Sequence, residues 1–406
     1  MENGNITDTY KKVKDNVFNH EYTQKLIKSK FTQRLYKEQI RIKEWILNNR
    51  SKTIIIVIII IFIWVYFFHI FRRIPKCLNK IVKYNNIINP KSLSSSKNIL
   101  NNNYKLCDFY VASSYKSYLP CTNYYDYSSC RAIETVLRHG ARYIDLDIFN
   151  KNFNTCTEPV VCNGREIGNW HWTTELNFDK ICKMISLTAF SSKVYAPNDP
   201  LFINLNINVN NNYYTITKIA DSINKYFSQR LLPPTFSYQG INPNPNLSVD
   251  IATTPIKKLF GKVIIICNKD FKGTKLDELV NISSSIVGNF RDLTYNDVKD
   301  SYTTNELIQY NKKYLTRVIT NNKSRNKINF NWATPWYVGC QFICMDYFKP
   351  DQNMLSYIKR FSKYSFVLKP YKLRYQPITI KAPKAQLKQV SFAPQQITTP
   401  NYSIIY

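Results

Sequence analysis

The chain has 406 residues, 44% of them hydrophobic, enough for one large domain or two ordinary ones and too many for a small disulfide-stapled module. Its 56 basic and 27 acidic residues leave a net charge of +29, which points to an anionic partner such as lipid headgroups, nucleic acid or a virion interior. Abundant Asn, Ile, Lys and Tyr, as A/T-rich viral or protist coding gives, account for part of that charge. The ten cysteines include no C-x-x-C pair, which argues against zinc. A chain with a large core favours reduced thiols, with Cys121/Cys130 and Cys156/Cys162 as the short loops to close in an oxidising compartment.

Residues 1–52 are polar, basic and helix-compatible, with Leu26, Ile27, Phe31, Leu35 and Ile40 at roughly helical spacing. A short solvated helix before the membrane fits better than one lying on the bilayer surface. Residues 53–71 read TIIIVIIIIFIWVYFFHIF, and Ile54 to Phe68 contains no charge. As a helix these residues rise about 28 Å, close to the hydrocarbon thickness of a bilayer. Trp64, Tyr66, Phe67 and Phe68 gather toward one end, where an aromatic belt belongs. The run starts too late for a cleaved signal peptide and lacks the polar stripe of a core helix, so it predicts a single-pass membrane anchor. Six Lys/Arg precede it within twenty residues and six follow, so charge does not set its orientation. Residues 72–104 are rich in Ser and Asn and read as a tether.

From about 105 to 376, short apolar runs alternate with helical patterns. Strands are expected at 141–149, 159–162, 201–209, 262–267 and 340–348, and helices at Cys130–Leu137, Phe178–Phe190, Tyr214–Phe227 and Thr304–Tyr314. The alternation predicts an α/β fold with a parallel sheet, and at this length a barrel. Barrel sites lie at the carboxyl ends of the strands, where Asp145, Asp147, Asn204 and Asn206 fall. A short tail, 377–406, follows.

Eight stretches in order carry a resemblance: SSYKSYL (113–119), HGARYIDLD (139–147), EPVVCNG (158–164), PLFINLN (200–206), TTPIKKLFGKVIIICNK (253–269), YNKKYLTRVI (310–319), NWATPWYVGCQFICMDYF (331–348) and YSFVLKPYKLRY (364–375). Together they resemble the X and Y catalytic regions of phosphoinositide-specific phospholipase C, with X at about 108–234, a connecting stretch at about 235–300 and Y at about 301–376. The resemblance implies a distorted TIM-type (β/α)8 barrel. It also implies a phosphodiesterase in which a histidine pair handles protons and a calcium ion lowers the pKa of the attacking inositol hydroxyl. No counterpart of the family's accessory calcium-hand, pleckstrin or C2 domains is evident.

The residues that should carry this chemistry depart from the pattern. The two family histidine positions hold Tyr115 and Asn163. A phenol titrating near 10 is a poor proton shuttle at pH 7, and an amide transfers none. The four metal-ligand positions hold Lys116, Asp145, Asp147 and Asn206, so a cation stands where a cation should bind. In the substrate-phosphate set only Arg317 is retained, beside Ile266, Asn268 and Ile319 at the other positions. The fallback proton carriers are His171 and His139. Cys162 adjoins Asn163 with nothing to activate it.

These departures favour a membrane-anchored pseudoenzyme that binds or scaffolds at an anionic membrane or virion envelope, with no cofactor. The alternative is an active phosphodiesterase, calcium-dependent if conventional, with relocated catalytic groups. Such an enzyme should bring a histidine or two carboxylates beside Arg317, whereas a pseudoenzyme should have Tyr115 and Lys116 filling the pocket. Binding of nucleic acid rests on charge alone and is disfavoured, because no basic-aromatic stacking motif supports it.

Overall fold

A computed structural model describes residues 30–120, 127–151, 158–165, 170–209, 212–238, 250–285, 290–321, 328–377 and 394–406. Leu26 and Ile27 of the N-terminal pattern, together with Cys121, Cys156 and most of the connecting stretch before Asp250, lie outside them. The chain divides into two units, Met1–Lys76 and Cys77–Tyr406.

The described residues of the first unit are helical. Helix α1 (Lys30–Asn48) is exposed along its described length. Helix α2 (Arg50–Leu78) contains one window, Arg50–Phe68, that is long and apolar enough to cross a membrane and is unburied in the protein.

The second unit is built on eight parallel strands: β1 (Phe109–Ser114), β2 (Tyr143–Asn150), β3 (Leu201–Asn208), β4 (Val263–Cys267), β5 (Ile282–Ser283), β6 (Phe290–Thr294), β7 (Leu315–Ile319) and β8 (Phe342–Met345). They are bonded in the order β6-β7-β8-β1-β2-β3-β4-β5, a nearly closed barrel whose open seam lies between β5 and β6. A short strand, Phe366–Leu368, runs antiparallel to β1. Helices α3 (Cys130–Arg138), α4 (Phe178–Thr188), α5 (Tyr213–Phe227), α6 (Thr304–Lys313) and α7 (Gln352–Arg360) belong to this unit. Side chains of Asn177, Asn212 and Asp351 cap the N-termini of α4, α5 and α7.

Strand alternation sorts the side chains into two sets. On β2 and β3, Ile144, Leu146, Ile148, Leu201, Ile203, Leu205 and Ile207 pack with apolar residues of α4 and α5. Their alternates Tyr143 and Phe202 join a second cluster with Ile264, Ile266, Leu315, Phe342 and Cys344, which fills the barrel. Tyr143 lies 4.7 Å from Phe342 and Phe202 lies 5.0 Å from Phe342, ring centroid to centroid, so an aromatic layer plugs the bore. Moving two residues up each strand from that layer reaches Asp145 and Asn204, and two more reach Asp147 and Asn206.

Two expectations need correction. The stretch 72–104 is not a free tether, because from Cys77 onward it packs against the barrel. Ile81, Tyr84, Ile88, Leu93 and Ile99 are buried, the Tyr84 hydroxyl donates to Tyr347 O at 2.8 Å, and Leu93 N donates to Asp199 Oδ1 at 2.7 Å. Its apolar residues are dispersed among Ser and Asn and follow neither helix nor strand period, which hid them. The second correction concerns the cysteines. Seven described cysteines, Cys130 and Cys162 among them, are free, but Cys77 is disulfide-bonded.

Candidate functional site

The barrel mouth collects Tyr115, Lys116, Asp145, Asp147, Asn163, Asn206 and Arg317. Lys116 lies just beyond β1, in the left-handed region at φ +39°, and is the sole non-glycine residue with positive φ among the described residues. For a residue with a Cβ this conformation costs on the order of 1 kcal/mol or more, and such strain gathers at functional sites. Its backbone N–H donates to Asp145 Oδ2 at 3.2 Å. Its ammonium donates to Asn163 Oδ1 at 2.6 Å and pairs with Asp147 Oδ2 at 3.2 Å. One lysine thus connects Asn163, expected at a histidine position, to Asp147, expected at a metal-ligand position.

The carboxylates are saturated. Asp145 Oδ1 accepts from Asn204 at 2.7 Å, from Asn206 at 3.0 Å and from Arg317 at 3.3 Å. Asp147 Oδ1 accepts from Asn206 at 2.7 Å, and Oδ2 accepts from the Tyr118 hydroxyl at 2.7 Å besides Lys116. All four oxygens therefore already face N–H or O–H donors.

Burial raises the Asp145 carboxyl above its ordinary range, with Arg317 opposing. For Asp147 burial pushes upward too, but Lys116, the Tyr118 hydroxyl and Asn206 outweigh it, and its pKa falls. Burial pulls the Lys116 ammonium down, but Asp147 overrides it and the net direction is up. Lys116 is therefore a fixed cation at neutral pH. Tyr115, at the first family histidine position, is pushed up to about 12, chiefly by burial. At neutral pH it stays a phenol.

Arg317 is committed as well. Its Nε donates to Asp292 Oδ1 at 2.8 Å, and Nη2 pairs with Asp292 Oδ2. Nη1 points to Asp145 and, at 3.4 Å, to the Tyr143 hydroxyl. Two carboxylates do converge beside Arg317, but as its ion-pair partners, not as free acid and base. Asn268, at a substrate-phosphate position, accepts from Ile207 N at 2.8 Å and holds strand β3. Counting Lys116, Arg317, Asp145, Asp147 and Asp292 as charged, the mouth carries two positive and three negative groups, which does not favour a phosphate.

The residues do not fit calcium. That ion takes about six to eight oxygens. Here its ligand positions present an ammonium, an amide turned nitrogen-first onto both carboxylates, and carboxylate oxygens already filled. Among the described residues no group of three or more His, Cys, Asp or Glu could hold a metal.

The fallback histidines are engaged elsewhere. His171 Nδ1 lies 2.6 Å from Glu175 Oε1, and its ring meets Phe149 edge-on at 5.4 Å. His139 caps the C-terminus of α3 before β2 begins, at the opposite end of that strand from Asp147. Its Nδ1 is 2.7 Å from Thr135 O and its Nε2 is 2.9 Å from Asn85 Oδ1. Burial lowers its pKa, so the helix dipole does not keep it charged. Burial also raises the Cys162 thiol, which leaves it unreactive.

Sequence reasoning missed Asp292, Tyr118, Tyr143 and the contact role of Asn204. Tyr118 lay within the SSYKSYL motif and could have been found there. Asp292 sits on FRDLT, a strand without an apolar run, and gave no signal.

A nearly closed parallel barrel of this kind is the architecture of the phospholipase C-like class of barrel phosphodiesterases. The chain matches the models of the phosphatidylinositol-specific phospholipase C X domain over residues 102–269 and Y domain over residues 262–372, and it belongs to that family. It is 22% identical over 297 residues to inactive phospholipase C-like protein 1 of Homo sapiens, covering 61% of this chain. The Mus musculus protein of that name is also 22% identical, over 292 residues. The chain spans about a quarter of the length of these curated relatives, 25% in each case. In fold it resembles PLC21 of L. pealei (TM-score 0.54, 19% identity) and of S. officinalis (TM-score 0.55, 20% identity), over 67% of this chain and 38% of theirs.

Proposed function

We propose that this chain is a membrane-anchored, phospholipase C-like pseudoenzyme whose barrel serves as a binding or structural platform at an anionic membrane or virion envelope. Residues 53–71 supply a single-pass anchor in this reading, and the net charge of +29 supports attraction to anionic headgroups. The observation that carries the reading is the Lys116 ammonium held between Asp147 and Asn163, a fixed cation in place of a metal and a hydrogen-bond donor to the position of a proton shuttle. Relatives named as inactive support it. Nucleic acid is not part of this reading.

The active-enzyme alternative draws on one observation, the meeting of Asp145 and Asp292 at Arg317. It lacks a group free to exchange a proton near pH 7 among the described mouth residues. Calcium titration calorimetry on the full chain in detergent tests the proposal. No binding heat and an unchanged melting temperature are expected at millimolar calcium, and saturable micromolar binding would overturn it.

A further inference from the structure

A cavity of about 360 Å³ lies far from the barrel mouth in the fold, between the segment that follows the apolar helix and helix α3. Its walls include Leu78, Val82, Asn85, Arg131, Arg138 and His139. The segment is fixed in place. Ile81 and Tyr84 are fully buried beneath it, and His139 Nε2 meets Asn85 Oδ1 at 2.9 Å, joining the segment to α3.

The lining has an apolar half and a polar half, and the polar half includes the Glu134 carboxylate beside the two arginines. Leu78 and Val82 are apolar, and Val82 is 56% exposed with nothing covering it. Arg131 is exposed and has no ion-pair partner among the described residues. Arg138 pairs with Glu134 at 2.5 Å, yet its side chain stays 46% exposed. Residues 72–83, RRIPKCLNKIVK, add five basic groups and no acid. Leu78 ends the helix that carries the apolar window Arg50–Phe68. A polybasic stretch that follows an anchor so closely in sequence meets the field of an anionic leaflet.

We propose that this cavity is a binding site for an anionic phospholipid headgroup, with the phosphate between Arg131 and Arg138 and the glycerol end against Leu78 and Val82. The Arg131 guanidinium is available to fork onto a phosphate, and Arg138 shares its guanidinium with Glu134. The apolar wall suits the lipid rather than a free anion. This deepens the membrane reading and rests on it for access to lipid. The site does not use the barrel mouth.

The test uses the full chain in a neutral detergent, titrated with dihexanoyl phosphatidylserine, dihexanoyl phosphatidylcholine and inorganic phosphate. The expected result is tightest binding to the phosphatidylserine, weakened about tenfold or more in Arg131→Ala/Arg138→Ala, consistent with about a fivefold contribution from each basic residue near an anionic surface. Both arginines are exposed, so the variant should melt with the parent, and a Val82→Glu variant provides a second disruption of the apolar wall. Equal binding of the two lipids, or no loss in either variant, would overturn the proposal. Inorganic phosphate binding as tightly as phosphatidylserine would also overturn it, by showing a free-anion site. Alkaline carbonate extraction of the membrane-expressed chain tests the anchor separately. Release of the chain would sink the anchor reading while leaving the soluble-lipid result to judge the cavity.

Discussion

Replacing Lys116 by Met removes the ammonium and keeps the stem. The Lys116 and Asp147 side chains are 27% and 12% exposed, so the pair lies between a surface bridge and a buried one. Surface pairs contribute about 0–1 kcal/mol, and breaking a buried pair costs about 3–5 kcal/mol. Intermediate burial, together with the hydrogen bond lost at Asn163 Oδ1, gives a loss of about 2–3 kcal/mol. In a unit of this size that lowers Tm by about 4–6 °C. The pH dependence carries the sign. Asp147's folded pKa is depressed, so its contribution is present above the unfolded value near 4 and lost as pH falls through the folded value. In Lys116→Met burial is no longer offset by the ammonium, and the Asp147 pKa should rise above its unfolded value. The deficit should therefore be largest at pH 7 and shrink as pH falls toward the unfolded value near 4, as the variant takes up a proton. Lys116's own pKa is raised, so its contribution is complete below about 10.4 and declines only as pH rises through the folded value. Differential scanning fluorimetry across pH, with Asp147→Asn and the double variant to complete the cycle, gives the coupling. An unchanged melting temperature at pH 7, or additive single losses, would refute the reasoning.

Two further outcomes follow from the packing. Arg317→Met leaves Asp145 and Asp292 without their shared counter-charge and should cost about 3–5 kcal/mol in chemical denaturation, with Arg317→Lys recovering only part because an ammonium cannot fork onto Asp292 while reaching Asp145. Residues 105–406 should be far less stable than residues 77–406. The shorter chain loses the burial of Ile81, Tyr84, Ile88 and Leu93, at about 1.5–3 kcal/mol for each large apolar side chain, and a melting difference of a degree or two would contradict that.

The barrel was legible where strands carry runs of β-branched residues, as in KVIIIC and LFINLNINV. Strands β1, β5, β6 and β7 were not: β5 has two residues, β6 reads FRDLT, and the apolar runs of β1 and β7 are too short to stand out. That gap also concealed Asp292, and with it the neutralised state of Arg317. The strand-end position of Asp145 and Asp147 was readable from alternation. The direction of each donor was not, because an Asn side chain presents either an oxygen or a nitrogen and only its neighbours decide. The segment 77–104 was misread for a different reason: burial there is set by docking on the barrel, not by a local period. Cys77 adds a disulfide that composition did not reveal.

The most direct test of the account is phosphodiesterase turnover by the full chain on phosphatidylinositol vesicles, with calcium and with chelator, beside a Tyr115→His/Asn163→His variant. The account predicts no turnover by the parent in either condition. Calcium-dependent turnover by the parent would contradict it.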